Sequence, residues 1–387
     1  MRIALFTDTF LPQTNGVATV VAASAAGLAA QGHQVCVVTN SSAKQHAHST
    51  VTKEGYQLIT VPSVRFPLYP GERLAIPLGR TVYQMKRFHP QLIHAHTPFS
   101  VGMEGLYLSR VFKIPLVGTH HTFHDHYLKH VKLDFSFGRW ISWKYIVGFY
   151  NRCRYVLSPS KALADALELH GLVRPITVLS NTIDASCFMP ATTKTRQAFR
   201  AVLGVAGIVF VYVGRLSYEK NVTDVITAFA IAVIKLPTAI LLIVGDGPER
   251  ADLEALSKKL AVDDRVLFLG IRRGDALRQV LQAADVFVTA SQSENMPMTV
   301  LEAMASGLPV IGVQALGVPE LIKEGENGFL VPPGDHQRFA DAFIILAKDS
   351  ALRHSFGEAS RQRVVSQYDP GKLLTRLEHL YQQVVND

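Results

Sequence analysis

The chain is poor in cysteine and tryptophan and has no long apolar run. Its three cysteines in 387 residues, Cys36, Cys153 and Cys187, are odd in number, far apart and without histidines at metal-binding spacing. That excludes a disulfide framework and a thiolate metal site, and predicts reduced thiols in a cytoplasmic protein. No window offers the roughly 18 consecutive apolar residues of a spanning helix, so contact with a membrane is expected only at its surface. The opening MRIALFTDTFLP has a short apolar run that Asp8 breaks before any cleavage site, which argues against a secretion signal. Charged residues make up only 18% of the chain against 48% hydrophobic; this excludes a disordered protein and leaves ample material for a core. Also missing are GxGxxG after the first strand and a catalytic Tyr and Lys pair, so a dinucleotide cofactor and the epimerase or dehydrogenase chemistry built on one are not supported.

The length suits two domains of about 180 residues better than one core. In the first half RIALFT, QVCVVT, YQLITV, QLIHAH, IPLVGTHH and YVLSPS are short apolar strands separated by helix-length segments. The first helix runs from about Ala18 to Gln31 and stops at Gly32. After the polar stretch ATTKTRQ the pattern restarts with IVFVYVG, AILLIVG, RVLFLG, DVFVTAS and PVIGV. The expected fold is therefore α/β: two Rossmann-like parallel-sheet domains facing a cleft, at 1–190 and 191–369. From about Pro370 to Val385, Leu373, Leu377, Leu380 and Tyr381 recur at helical spacing, predicting a C-terminal helix that returns to the first domain. Residues 1–190 hold 18 Lys and Arg against 9 Asp and Glu, while the remainder holds 21 against 22. The positive first half suits an anionic partner, such as a membrane surface, an acidic acceptor or nucleic acid, although charge that only keeps the protein soluble explains it equally.

In open parallel sheets ligands bind beyond the carboxyl ends of the strands, so the residues that follow each strand come first. GRLSYEKN places Arg215 and Lys220 five residues apart before a helix, which suits a diphosphate. GDGPER reads as a structural turn in which Gly245 and Gly247 allow positive φ and Asp246 caps the succeeding helix. The segment SENMPMTVLEAMASGLPVI carries Glu294 at a strand end and Glu302 eight residues on. Pro297 is expected in the first turn of the intervening helix, whose unpaired amides offer an anion site. An unpaired carboxylate inside VLEAMA is costly, so Glu302 is expected to serve a ligand rather than solvent; a nucleic-acid-binding protein gives no reason for it.

His120, His121, His124, His126 and His130 crowd one stretch, but with only Asp125 as a carboxylate no metal site is assigned. Asn15 and Gly16 lie where backbone can approach an anion at a helix start. Segment 129–154 mixes cations with both tryptophans. Arg139, Trp140, Trp143 and Lys144 fit an interfacial helix on anionic lipid, and a core-facing aromatic helix fits many of the same residues.

The Glu294 to Glu302 spacing followed by AMASGLPVI, with GRLSYEKN and LPQTNGV in the same order along the chain, resembles the retaining glycosyltransferases of the GT-B fold, family four, over essentially the whole length. The resemblance implies that Arg215 and Lys220 hold a nucleotide-sugar diphosphate, that Glu302 binds the ribose and that Glu294 contacts the transferred hexose near the amides of Asn295 and Met296. It further implies that His121 stands near the sugar, Gly16 near the diphosphate and Ile271 near the base, with no metal or other cofactor. ENMPM departs from the Phe-Gly pair common after the first Glu, which bears on the sugar. HTFHDHYLKH, the basic aromatic segment and YVLSPS resemble the diacylglycerol glucosyltransferases. UDP-glucose and a lipid acceptor are thus expected for a peripheral enzyme on the inner membrane face, with GDP-mannose or another donor and a soluble or polysaccharide acceptor as the alternative.

Overall fold

The structure, a computed structural model, describes residues 1–13, 15–41, 48–65, 73–75, 79–123 and 135–386. It forms two compact units, Met1–Thr182 with Pro370–Asp387, and Ile183–Asp369. The division thus falls before the expected 190/191, for two physical reasons. ATTKTRQ is a helix start and not a linker: the Thr192 hydroxyl accepts the Thr195 N–H at 3.1 Å and caps the helix Thr193–Leu203. Upstream of it, Ile183 is buried in the second unit's core, with Ala185 and Phe188 packed against it. The Arg361 guanidinium then donates to the carbonyls of Ala185, at 2.7 Å, Phe188 and Ala305.

The first unit contains β1 (Arg2–Thr7), β2 (Gln34–Asn40), β3 (His48–Val51), β4 (Gln57–Val61), β5 (Ser63–Arg65), β6 (Arg73–Ala75), β7 (Leu92–Ala95), β8 (Leu116–Thr119), β9 (Tyr155–Ser158) and β10 (Ile176–Val178). Eight of these form one sheet in the order β10-β9-β8-β7-β1-β2-β4-β3, while β5 and β6 pair separately. In the large sheet β3 alone is antiparallel, at an edge. Strand order runs outward from β1 on both sides, so the switch point lies between β1 and β7. β7 and β8 are buried along their length, as parallel strands covered on both faces must be. Asn15 caps the helix Gly16–Ala30 by accepting from Ala18 N–H at 2.8 Å. The expected C-terminal helix is Pro370–Asn386; it buries Leu373, Leu377, Tyr381 and Val384 at helical spacing. Leu374 lies against Gly27 of the first helix, and the Tyr381 hydroxyl reaches His94 Nδ1 at 2.5 Å.

The second unit contains β11 (Val209–Val213), β12 (Ile240–Val244), β13 (Val266–Gly270), β14 (Val286–Val288), β15 (Val310–Val313) and β16 (Gly328–Val331). All are parallel, in the order β13-β12-β11-β14-β15-β16. The order reverses between β11 and β14, the position at which a doubly wound sheet opens a crevice. Phe210, Phe229 and Phe343 pack edge to face on one side of the sheet. Val211, Phe287, Leu301 and Ile322 belong to the core on the other. Both expected sheets are present, and each turns its strand ends toward loops rich in polar side chains.

If Arg361 holds the 183–188 segment to the second unit, Arg361→Ala leaves three carbonyls short of a donor. A loss of about 1–3 kcal/mol is expected in denaturant unfolding, with faster proteolysis between 183 and 192. Unchanged stability and cleavage would contradict the anchoring.

Candidate functional site

In the second unit the loops after β11 and β14 face each other across the switch point. The loop after β11 makes a short 3-10 turn at Tyr218–Lys220, passes Asn221 at φ 48° and enters the helix Val222–Ala232. The loop is tied down from below: Ser217 Oγ donates to Glu219 Oε1 at 2.5 Å, and the Glu219 carbonyl accepts from Ser293 Oγ at 3.4 Å. This brings Lys220 Nζ to 2.5 Å from Glu294 Oε1, with both side chains largely covered. The family resemblance implied different parts of a ligand for these two residues; in the structure they form one ion pair. Arg215 opens the same loop, is exposed, and accepts the Tyr212 hydroxyl on its carbonyl at 3.1 Å.

Glycine lets these loops approach so closely. Gly245, at φ 140°, lies so near the loop after β11 that a Cβ there would sit 1.8 Å from the Gly214 carbonyl oxygen. Gly317 donates its N–H to the Glu294 carbonyl at 3.0 Å, and a Cβ on it would sit 1.5 Å from the Asn295 oxygen. Nothing in the linear order of the residues pointed to Gly317. Asp246 turns back on the Gly247 N–H at 2.8 Å instead of capping the next helix, which starts at Arg250.

Pro297 is the N-cap residue of the helix Met298–Ala305, one position before the expected first turn. Asn295 and Met296 are buried, and the Met296 side chain belongs to the core, so any contact it makes with a ligand is through its backbone. Glu302 lies within that helix, where its carboxyl has no hydrogen-bond or ion-pair partner among the described residues; burial raises it from 4.5 to about 7. Ile271 follows β13 directly and is 59% exposed.

The remaining candidates belong to the first unit. Gly16 is the exposed first residue of its helix. His121 follows β8, and its Nε2 lies 3.1 Å from His96 Nδ1. The pocket there is lined by His94, His96, Thr119, His121 and Asn181. His94 and His96, both within QLIHAH and respectively in and just after β7, were not among the residues the sequence singled out; their i, i+2 spacing on one strand face was the available signal. Across the switch point Asp8 accepts from Thr97 Oγ1, Ser100 Oγ and the Val101 N–H, which fixes the loop after β7. His124, Asp125, His126 and His130 lie outside the described residues, and among the described residues no group of three or more potential ligands is placed to hold a metal.

Of segment 129–154, residues 135–154 are described. The helix Ser136–Tyr150 exposes Phe137, Trp140 and Ile141, with Lys144 Nζ 5.5 Å from the Trp140 ring. Arg139 lies on the same exposed turn. Trp143 is a correction: it is only 6% exposed, stacked on His170 at 4.1 Å, because its position turns it inward while Trp140 turns outward. The interfacial and core readings of this helix each hold for one face. Among the described residues no helix is long and apolar enough to cross a membrane.

Two family models match the chain: "Glycosyltransferase Family 4" over residues 14–186 and "Glycosyl transferases group 1" over 195–363. The chain is 32% identical to an alpha-monoglucosyldiacylglycerol synthase of Streptococcus pneumoniae over 80% of its own length and 70% of that relative. It is 29% identical to a GDP-mannose-dependent alpha-mannosyltransferase of Corynebacterium glutamicum, over 100% and 89%. Among solved structures, Anabaena Alr3699/HepE in complex with UDP superposes with a TM-score of 0.80 at 22% identity, covering 99% of this chain and 100% of that one.

The position of Glu302 sets a pH dependence. Between about pH 4.5 and 7 the folded protein keeps a proton on Glu302 that the unfolded chain has released, so this residue's contribution to stability falls as pH rises through that window. Glu302→Gln, neutral throughout, is expected to flatten that part of the Tm profile. An identical slope in both proteins would contradict the placement.

Proposed function

The chain belongs to the family 4 glycosyltransferases, enzymes of the GT-B fold, and from that premise we propose that it moves glucose from UDP-glucose to a membrane lipid such as diacylglycerol, with retention at the anomeric carbon. The observation that carries the donor half of this reading is the Lys220 to Glu294 pair across the switch point of the second sheet, with the Glu302 carboxyl, which has no partner among the described residues, on the helix that follows. A carboxylate accepts two hydroxyl donors, which is what a ribose diol offers. Glu302 takes that role, and the nearby Glu294 receives the hexose hydroxyls, held in place by Lys220 and by the Gly317 N–H on its backbone.

The leaving diphosphate gains negative charge as the sugar bond breaks. Arg215, the Lys220 ammonium and amides of the Asn295–Met296 turn act on that charge more strongly in the transition state than in the ground state. The charge is met by side-chain cations and amides, so the reading needs neither a metal nor another cofactor. Glu294 is engaged by Lys220 and is assigned no nucleophilic role, so retention proceeds without the carboxylate nucleophile that retaining glycosidases use. Gly16 and His121 are assigned to the diphosphate and the sugar, and Ile271 to the base through its backbone.

The acceptor half rests on the exposed turn of Arg139, Trp140 and Lys144, a cationic aromatic surface suited to anionic headgroups, and on the positive first half of the chain. The enzyme is then peripheral, on the cytoplasmic face. The name of the pneumococcal relative supports glucose and diacylglycerol. The corynebacterial relative, matched along the whole chain, supports GDP-mannose as the second reading.

A thermal-shift panel separates the donors. A ligand at a hundred times its Kd stabilises by about 2.7 kcal/mol, so UDP and UDP-glucose are expected to raise Tm and GDP-mannose not; the reverse order selects the second reading. In the same assay Lys220→Ala is expected to lose most of the shift and to turn over on the order of 100-fold more slowly, and parent-level turnover would contradict the assignment. For the acceptor, replacing Arg139, Trp140 and Lys144 by Ala together is expected to abolish sedimentation with anionic vesicles. Undiminished sedimentation would remove the lipid-surface reading.

A further inference from the structure

The first unit holds a stack of three histidine rings that the reading above does not use beyond His121. The His96 N–H donates to the Phe6 carbonyl at 2.8 Å, which continues β7 and keeps His94 and His96 on one strand face. Their ring centroids are 4.0 Å apart, and His121, from the adjoining strand end, stacks on His96 at 5.4 Å. His94 is clamped from both sides, Nδ1 to the Tyr381 hydroxyl at 2.5 Å and Nε2 to Thr119 Oγ1 at 2.6 Å. Burial lowers all three, helped for His94 by His121 and for His96 by both other rings, with His94 and His121 at about 3, so the stack is neutral near pH 7.

A neutral imidazole carries one N–H and one lone pair, so across the 3.1 Å contact between His96 Nδ1 and His121 Nε2 one ring donates and the other accepts. His96 Nε2 decides which. It is buried without a partner among the described residues. Were His96 the acceptor, its proton would be stranded on Nε2 as a buried donor, a rarer and more costly situation than an under-used acceptor. We infer that His96 is a positioning residue: it donates from Nδ1 to His121 Nε2 and so fixes His121 as the Nδ1–H tautomer, a hydrogen-bond donor for an acceptor oxygen such as a hexose hydroxyl. This rests on the reading that His121 serves the sugar. The Tyr381 contact carries the same constraint into the C-terminal helix: that helix clamps His94, His94 stacks on His96, and His96 holds His121.

Two measurements on the full chain test it. Long-range proton–nitrogen NMR of the histidine-labelled protein is expected to place the protons of His96 and His121 both on Nδ1; a His121 proton on Nε2 overturns the inference whatever the activity. In turnover, His96→Ala and His96→Asp are expected to lower kcat by about 10- to 100-fold with little change in donor KM. His96→Asn keeps an N–H near the Nδ1 position and is expected to restore most of that loss. An Asp variant as active as the Asn variant overturns the donor role. His121→Ala separates this from the broader reading. Parent-level turnover in that variant overturns the site assignment of His121 and with it any positioning role. Loss in His121→Ala beside parent-level turnover in His96→Asp overturns the positioning alone.

Discussion

The second unit is organised around one ion pair at one topological position. Lys220 and Glu294 belong to loops that leave neighbouring parallel strands, β11 and β14, whose crossovers depart in opposite directions. Where connections diverge, no helix covers the strand ends, and side chains from the two loops can meet beyond the sheet. A covered ion pair is weak evidence for stability, since desolvation consumes much of the Coulomb gain. Its worth here is placement: it fixes a carboxylate and an ammonium beside each other beyond the strand ends at the switch point. The surrounding structure serves that placement. Ser217 and Glu219 brace one loop, Gly317 pins the backbone of the other, and Gly245 lets the loop after β12 pass against Gly214 where any side chain would clash.

Much of this was legible in the sequence because strands of a covered parallel sheet are short and mostly apolar, and eleven such segments stand out from their polar loops. The unusual position of Glu302 was legible for a related reason: a carboxylate within VLEAMA contradicts its surroundings unless a ligand offsets the cost. What stayed hidden depends on tertiary contact. β10 and β16 are short, only partly buried segments whose strand character comes from their neighbours. The unit boundary was misplaced because a polar stretch reads alike as linker or capped helix start, and the Arg361 contacts that settle it come from far along the chain. Trp143 and Trp140 are three residues apart with the same chemistry; the inward ring is fixed by His170, which no local pattern connects to it.

The first unit repeats the architecture with a different occupant. Its switch point is closed by Asp8, whose carboxylate organises the loop after β7, and the neighbouring strand ends present imidazoles where the second unit presents a carboxylate and cations. Neutral rings suit a site that handles hydroxyls, and fixed charges suit one that handles a diphosphate. The C-terminal helix belongs to this arrangement as more than a cover, because Tyr381 reaches through to His94. Positive charge is concentrated in the same half, and the outward face of the helix Ser136–Tyr150 adds Trp140 with Arg139 and Lys144 beside it.

The measurement that bears most directly on the central claim is a crystal structure of the protein with a bound nucleoside diphosphate. The account predicts the diphosphate within hydrogen-bond reach of Lys220 Nζ, beyond the ends of β11 and β14, and the ribose hydroxyls on the Glu302 carboxylate. A nucleotide bound elsewhere, with Glu302 still unpartnered, would contradict it.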